Sequence, residues 1–160
     1  MTPVNPKILE TLDFGISSEI KSYVFYLEAA KTVTRESFRK TLLKLAGEEK
    51  DHYHILERQH HSLVVSEQWV SYNDILKQPG LPEINEEMAA PHKKLIAAVR
   101  AASGERELLE IALGLEKEAN ALFVAAVERA VDPEEKRMFS YLAKFEEGHM
   151  RLIQGMIDSL

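Results

Sequence analysis

Apolar residues recur at three- and four-residue steps in four long stretches of the chain. Ile8, Leu12, Ile16, Tyr23, Tyr26 and Ala30 form the first stripe, and Phe38, Leu42, Leu45 and Leu56 the second. Leu109, Ala112, Leu113, Phe123 and Val127 form the third, and Phe139, Leu142, Ile153 and Ile157 the fourth. This is the period of a helix with one face turned to a core. It predicts helices over about 6–33, 35–62, 105–130 and 133–158. Asn5-Pro6 and Asp132-Pro133-Glu134-Glu135 are start signals, each pairing a capping side chain with a first-turn proline. Thr34 is the expected cap of the second helix, and Ser103-Gly104 marks the boundary before the third. The turns within each pair of helices are very short, so each pair is expected to be an antiparallel hairpin.

Between the pairs the period is lost. Trp69, Tyr72, Pro79-Gly80, Pro82 and Pro91 are scattered through residues 64–104. A structureless stretch of that length is unusual in a compact domain, so at least one short helix is expected. Residues 83–90 and 92–102 are the candidates, with Pro91–Val99 the stronger. A helix of about 26 residues is roughly 39 Å long, and the crossover is ample for that span. The fold class read from the pattern is all-α: a four-helix bundle of two hairpins, as a single domain over 1–160.

Each stripe is interrupted by polar residues in a pattern that occurs twice. Glu19 precedes Glu49 and His52; Glu116 precedes Glu146 and His149. The lone glutamate stands 30 residues before its Glu-x-x-His in both copies, and the copies are offset by 97. Glu19 lies 15 residues before Thr34 and Glu49 lies 15 after it, so an antiparallel hairpin brings both to one level. That level is roughly 22 Å from the turn at 1.5 Å per residue. A fold near Val131 does the same for Glu116 and Glu146. Each histidine follows its glutamate by three residues and shares its face.

Four buried carboxylates would repel one another and lose hydration, at a cost of several kcal/mol or a rise in their pKa values. Cations remove the conflict. Four glutamates and two imidazoles suit iron or manganese, and two divalent ions balance four negative charges. A glutamate from each of two helices, plus a Glu-x-x-His from each of the other two, is the dimetal arrangement of ferritin-like bundles.

Composition fits this picture. The chain has 160 residues, 45% of them apolar and 29% charged, the size and balance of one globular domain. It contains no cysteine, which excludes disulfides, thiolate zinc sites and iron–sulfur clusters held by this chain. Net charge is −6, and two divalent ions would bring it to −2, so nothing points to nucleic acid. No apolar run is long enough for a membrane span and residues 1–6 do not read as a secretory signal, so a cytoplasmic location is expected.

Residues Glu19 to Ala30 (EIKSYVFYLEAA) and Leu45 to His52 (LAGEEKDH) resemble the two motifs of rubrerythrin-like proteins, members of the ferritin-like diiron-carboxylate superfamily. Glu116-Lys117-Glu118-Ala119 and Leu142 to His149 (LAKFEEGH) resemble the second half. The similarity covers all four helices but not 64–104. It implies that Glu19, Glu49, His52, Glu116, Glu146 and His149 are the metal ligands of two iron ions, with manganese or a mixed pair as variants. It assigns Glu49 and Glu146 as bridging, catalytic carboxylates and Glu19 and Glu116 as terminal. Rubrerythrins proper carry a four-cysteine rubredoxin domain and this sequence has no cysteine, so electrons are expected from an external electron donor or from the substrate iron itself. They also carry a further glutamate where this chain has Ala119, and Glu118 points about 200° away from Glu116, so the site reads as symmetric.

The expected activity is that of a diiron oxidoreductase reducing O₂ or H₂O₂. The alternatives are a ferroxidase that feeds iron storage and a non-catalytic, metal-stabilised bundle. A homodimer or larger homo-oligomer is implied by resemblance. Around the site, Tyr23 is set to hydrogen-bond a ligand or relay an electron, against an ordinary packing role. Asn120 needs a partner if buried. His54, His60, His61 and His92 read as solvated, and Glu28, Glu48, Asp51 and Glu147 as solvated or outer charges. Gly47, Gly114 and Gly148 flank the ligands and are read as permitting close helix approach or local distortion.

Overall fold

The computed structural model describes residues 4–79 and 83–160. Gly80 and Pro82, expected to interrupt the crossover, and the first three residues, expected not to form a signal, lie outside the described residues. Four long helices carry the fold: α1 (Pro6–Thr32), α2 (Glu36–Ser66), α6 (Glu105–Arg129) and α7 (Pro133–Asp158). Between α2 and α6 come α3 (Tyr72–Leu76), α4 (Glu86–Ala89), a 3₁₀ turn (Ala90–His92) and α5 (Lys93–Ala101). Among the described residues there are no strands, and no helix is long and apolar enough to cross a membrane.

The helix starts follow their local chemistry. Asn5 Oδ1 accepts from the Lys7 amide at 3.0 Å, with Pro6 in the first turn. Asp132 and Glu135 form a full capping box at the start of α7. Thr34 is not the cap of α2. Arg35 takes that place with no side-chain bond, and the Thr34 hydroxyl instead donates to Glu105 at 3.3 Å. Arg39 compensates by closing the end of α1, donating to the carbonyls of Ala30 and Val33 at 3.1 and 3.0 Å. α2 also runs on to Ser66, where Glu67 adopts φ 57° and turns the chain. No glycine or proline marks that stop, which is why the sequence places the helix end too early.

The Thr34–Glu105 bond, with the Arg35–Glu105 ion pair at 3.3 Å, sets the topology. It joins the turn of the first hairpin to the start of α6. Thus α2 and α6 both run away from that end, and the chain must cross the bundle between them. The crossover is pinned along the way. The Gln59 carboxamide, with no exposed surface, donates to Val70 O and accepts from Val70 N, both at 2.7 Å. Arg100 Nε donates to Glu28 at 2.7 Å and ties α5 to α1. Glu28 is therefore buried and paired, contrary to its reading as solvated, and Arg100 beside it holds its carboxyl below the usual range.

Beside a small cluster of Ile20, Val24 and Tyr53, the core falls into two large apolar halves. One contains Phe25, Leu42, Leu45, Leu109 and Ile153; the other contains Leu12, Leu56, Phe123, Phe139 and Leu142. The polar pattern lies between them. Just outside that layer Gly15 allows the closest approach: an added Cβ would sit 3.0 Å from Leu56 and 3.2 Å from Phe123. Of the two readings of Gly47, Gly114 and Gly148, close helix approach does not hold, because a Cβ at any of them meets nothing within 4 Å.

Candidate metal centre

The helices bring all six predicted polar residues into one section of the bundle. Glu19 comes from α1, Glu49 and His52 from α2, Glu116 from α6, and Glu146 and His149 from α7. The four glutamates have no exposed surface, and His52 and His149 are 1% and 4% exposed. Their donor atoms form two overlapping groups, each within 4.8 Å: Glu19, Glu49, His52 and Glu146, and then Glu49, Glu116, Glu146 and His149. Glu49 and Glu146 belong to both.

Both imidazoles turn Nδ1 to the centre. His52 Nδ1 lies 3.2 Å from Glu146, 3.7 Å from Glu19 and 3.8 Å from Glu49. His149 Nδ1 lies 2.9 Å from Glu49, 3.3 Å from Glu116 and 3.4 Å from Glu146. The rings lie nearly parallel, with centroids 6.1 Å apart.

The electrostatics are those of an anion cluster without its counter-charge. Burial and mutual repulsion push Glu19 and Glu49 well above the usual carboxylate range, and Glu116 up to about 10. Burial acts on Glu146 in the same sense, but the neighbouring Glu116, His149 and His52 outweigh it and hold that carboxyl low. Burial alone would lower both histidines; their carboxylate partners raise them instead. Both oxygens of Glu19 and Glu49, one oxygen each of Glu116 and Glu146, and His149 Nδ1 are buried without a hydrogen-bond partner. Native interiors rarely leave polar atoms so. Seven orphaned oxygen and nitrogen atoms at one place fit a site for hard or borderline divalent cations, two of which match four glutamates in charge.

The surroundings were only partly foreseen. Tyr26, read as core, donates its hydroxyl to Glu116 at 2.5 Å. Burial and the Glu116 charge raise its pKa and keep the phenol protonated. Tyr23, one turn earlier, is half-buried and packs against the apolar clusters beside the site. The signal for Tyr26 was its place on the ligand stripe two turns after Glu19. Glu48 reaches His149 Nε2 at 2.7 Å. Asn120 Nδ2 donates to Ala143 O at 2.8 Å, joining α6 to α7. His54 is buried at 7% exposure beside Tyr53, not solvated. His60 is half-buried and faces Asp13 at 3.3 Å. Ala119 is buried and Glu118 points outward to Lys21 at 3.5 Å, so no further glutamate enters from α6.

Comparison with known proteins agrees with this architecture. A solved structure of a hypothetical protein from Pyrococcus furiosus superposes with a TM-score of 0.67. The two are 22% identical over 94% of this chain and 87% of that one, which speaks to the fold alone. No curated protein matches the chain. The rubrerythrin family model matches residues 10–157, a span that contains every residue of both donor groups. The chain therefore belongs to the rubrerythrin family, whose members are ferritin-like diiron-carboxylate proteins.

Proposed function

We propose that this chain is a diiron-carboxylate oxidoreductase that reduces H₂O₂ or O₂. One observation carries the reading: two groups of buried donors share Glu49 and Glu146, the arrangement that two adjacent cations with bridging carboxylates require. Glu19 and His52 would complete one position, Glu116 and His149 the other. With iron bound by these residues, the centre would supply the two electrons that, with two protons, take one H₂O₂ to two waters.

The chain's own part is to hold and to exclude. The apolar packing on either side leaves the glutamates without exposed surface and so keeps bulk water from these donors. The Tyr26 hydroxyl holds the Glu116 oxygen that lies 3.3 Å from His149 Nδ1, and the other oxygen is left without a partner. Glu48 accepts from His149 Nε2, which leaves the Nδ1 lone pair turned inward. The electrons to re-reduce the centre would come from a separate donor or from substrate iron. Self-association belongs to the same reading and is measured by sedimentation of the purified protein.

The test is metal stoichiometry on anaerobically purified, iron-loaded protein, followed by separate mixing with H₂O₂ and O₂. About two ions per chain, with H₂O₂ oxidising the centre much faster than O₂, is the expected result. Iron far above that ratio in a large assembly would move the reading to storage. Unchanged binding in E49A/E146A would remove the site itself.

A further inference from the structure

The repeat that builds the centre is broken one residue before each Glu-x-x-His. Glu48 precedes Glu49, but the residue 97 places on, before Glu146, is Phe145. Each of these side chains packs against the histidine of the other hairpin, so the difference appears beside the two imidazoles. His149 Nε2 has the Glu48 carboxylate at 2.7 Å. His52 instead meets the Phe145 ring edge-on, with centroids 4.9 Å apart, and the Tyr141 ring at 6.1 Å. The inner donors of the two halves match in kind; what stands behind the histidines does not.

A carboxylate behind a ligating imidazole does three things. It fixes the tautomer, holds the ring in place and makes the inward nitrogen a better donor. It also adds a negative charge near the bound cation. Glu48 is partly solvated, with its side chain 28% exposed. A phenyl ring carries no charge, and its contact with an imidazole is weak beside an N–H···carboxylate bond.

We propose that the two metal positions are unequal: the one formed by Glu49, Glu116, Glu146 and His149 fills first and holds its ion more tightly, and Glu48 is the positioning residue that sets this order. The proposal rests on the dimetal reading above. The residue pair Glu48/Phe145 thereby turns a site built by repetition into one with a resident ion and a more exchangeable one.

The test is anaerobic titration of the metal-free full chain with Co²⁺, followed by calorimetry and by the cobalt absorption bands. Two binding steps are expected in the wild-type protein, separated by about tenfold or more in affinity. E48Q keeps the shape but removes the charge. It should weaken the tight step by roughly 10–100-fold, the usual range for a residue behind a metal ligand, and leave the other step within about twofold. F145E should tighten the weak step by placing a carboxylate behind His52. Thermal melting of each metal-free variant reports whether it is folded, and E48Q alone decides if F145E is not. Equal weakening of both ions in E48Q, or two equal independent steps in the wild type, would overturn the inequality while leaving the dimetal site standing. Binding of fewer than two ions overall would instead remove the dimetal reading.

Discussion

Glu116 shows what the centre costs when its protons must stand in for cations. Its folded pKa is about 10, against an ordinary value of 4.5. A carboxyl raised on folding adds stability that is complete below the unfolded pKa and is lost as pH rises through the folded one. Over that window each such group removes up to about 1.4 kcal/mol per pH unit. Glu19 and Glu49 are shifted in the same direction, and Glu146 alone opposes them. The metal-free protein should therefore melt at a lower temperature at pH 9 than at pH 6. Metal binding at neutral pH should release protons, because the ligands must ionise. Scanning calorimetry and a pH-indicator dye in weak buffer measure the two effects. A melting temperature that rises with pH in the metal-free protein would sink the picture of a protonated cluster.

At the scale of elements, local signals were legible where the chain uses the commonest devices. Asn5-Pro6 and the Asp132/Glu135 capping box start helices where the sequence places them. They failed where a distant residue does the work. Arg39 and Glu105 close the α1–α2 turn without help from a cap at Thr34, and Gln59 holds Val70 across eleven residues of chain. No short-range pattern encodes such bonds. Replacing Gln59 with Leu should cost about 1–3 kcal/mol, because both polar groups of Val70 lose their partner. Urea denaturation checks this, with loss of less than a few tenths as the contrary result. The glycines divide in the same way. Gly47 and Gly114 are exposed mid-helix positions with open space around them, so G47A and G114A should each add about 0.5–1 kcal/mol. G15A should not, since its Cβ would press on Leu56 and Phe123. Thermal melts of the three variants separate helix propensity from helix approach.

For the molecule as a whole, the bundle and the six polar residues were readable because repetition doubles every clue. A Glu-x-x-His on one helix means little, whereas two copies at equal separation fix helix pairing and level together. The short crossover helix α3 and the role of Tyr26 were not readable, and Glu48 was readable only as a solvated or outer charge without its partner. Each depends on which face of a second helix happens to lie opposite, and a period along one helix carries no such information. Ferritin-like topology, with α2 and α6 parallel, follows from the crossover and needs no further device.

Each donor group draws three residues from one hairpin and a single glutamate from the other: Glu146 joins the first, Glu49 the second. The ions would thus act as reciprocal rivets, each seated in one half of the molecule and fastened through the other. A chain severed after Gln78 should behave as a metal-gated heterodimer. Its two fragments, expressed together, should elute as one species with Co²⁺ or Fe²⁺ present and separate when a chelator is added. Fragments that remain joined without metal would show that the apolar halves hold the bundle unaided.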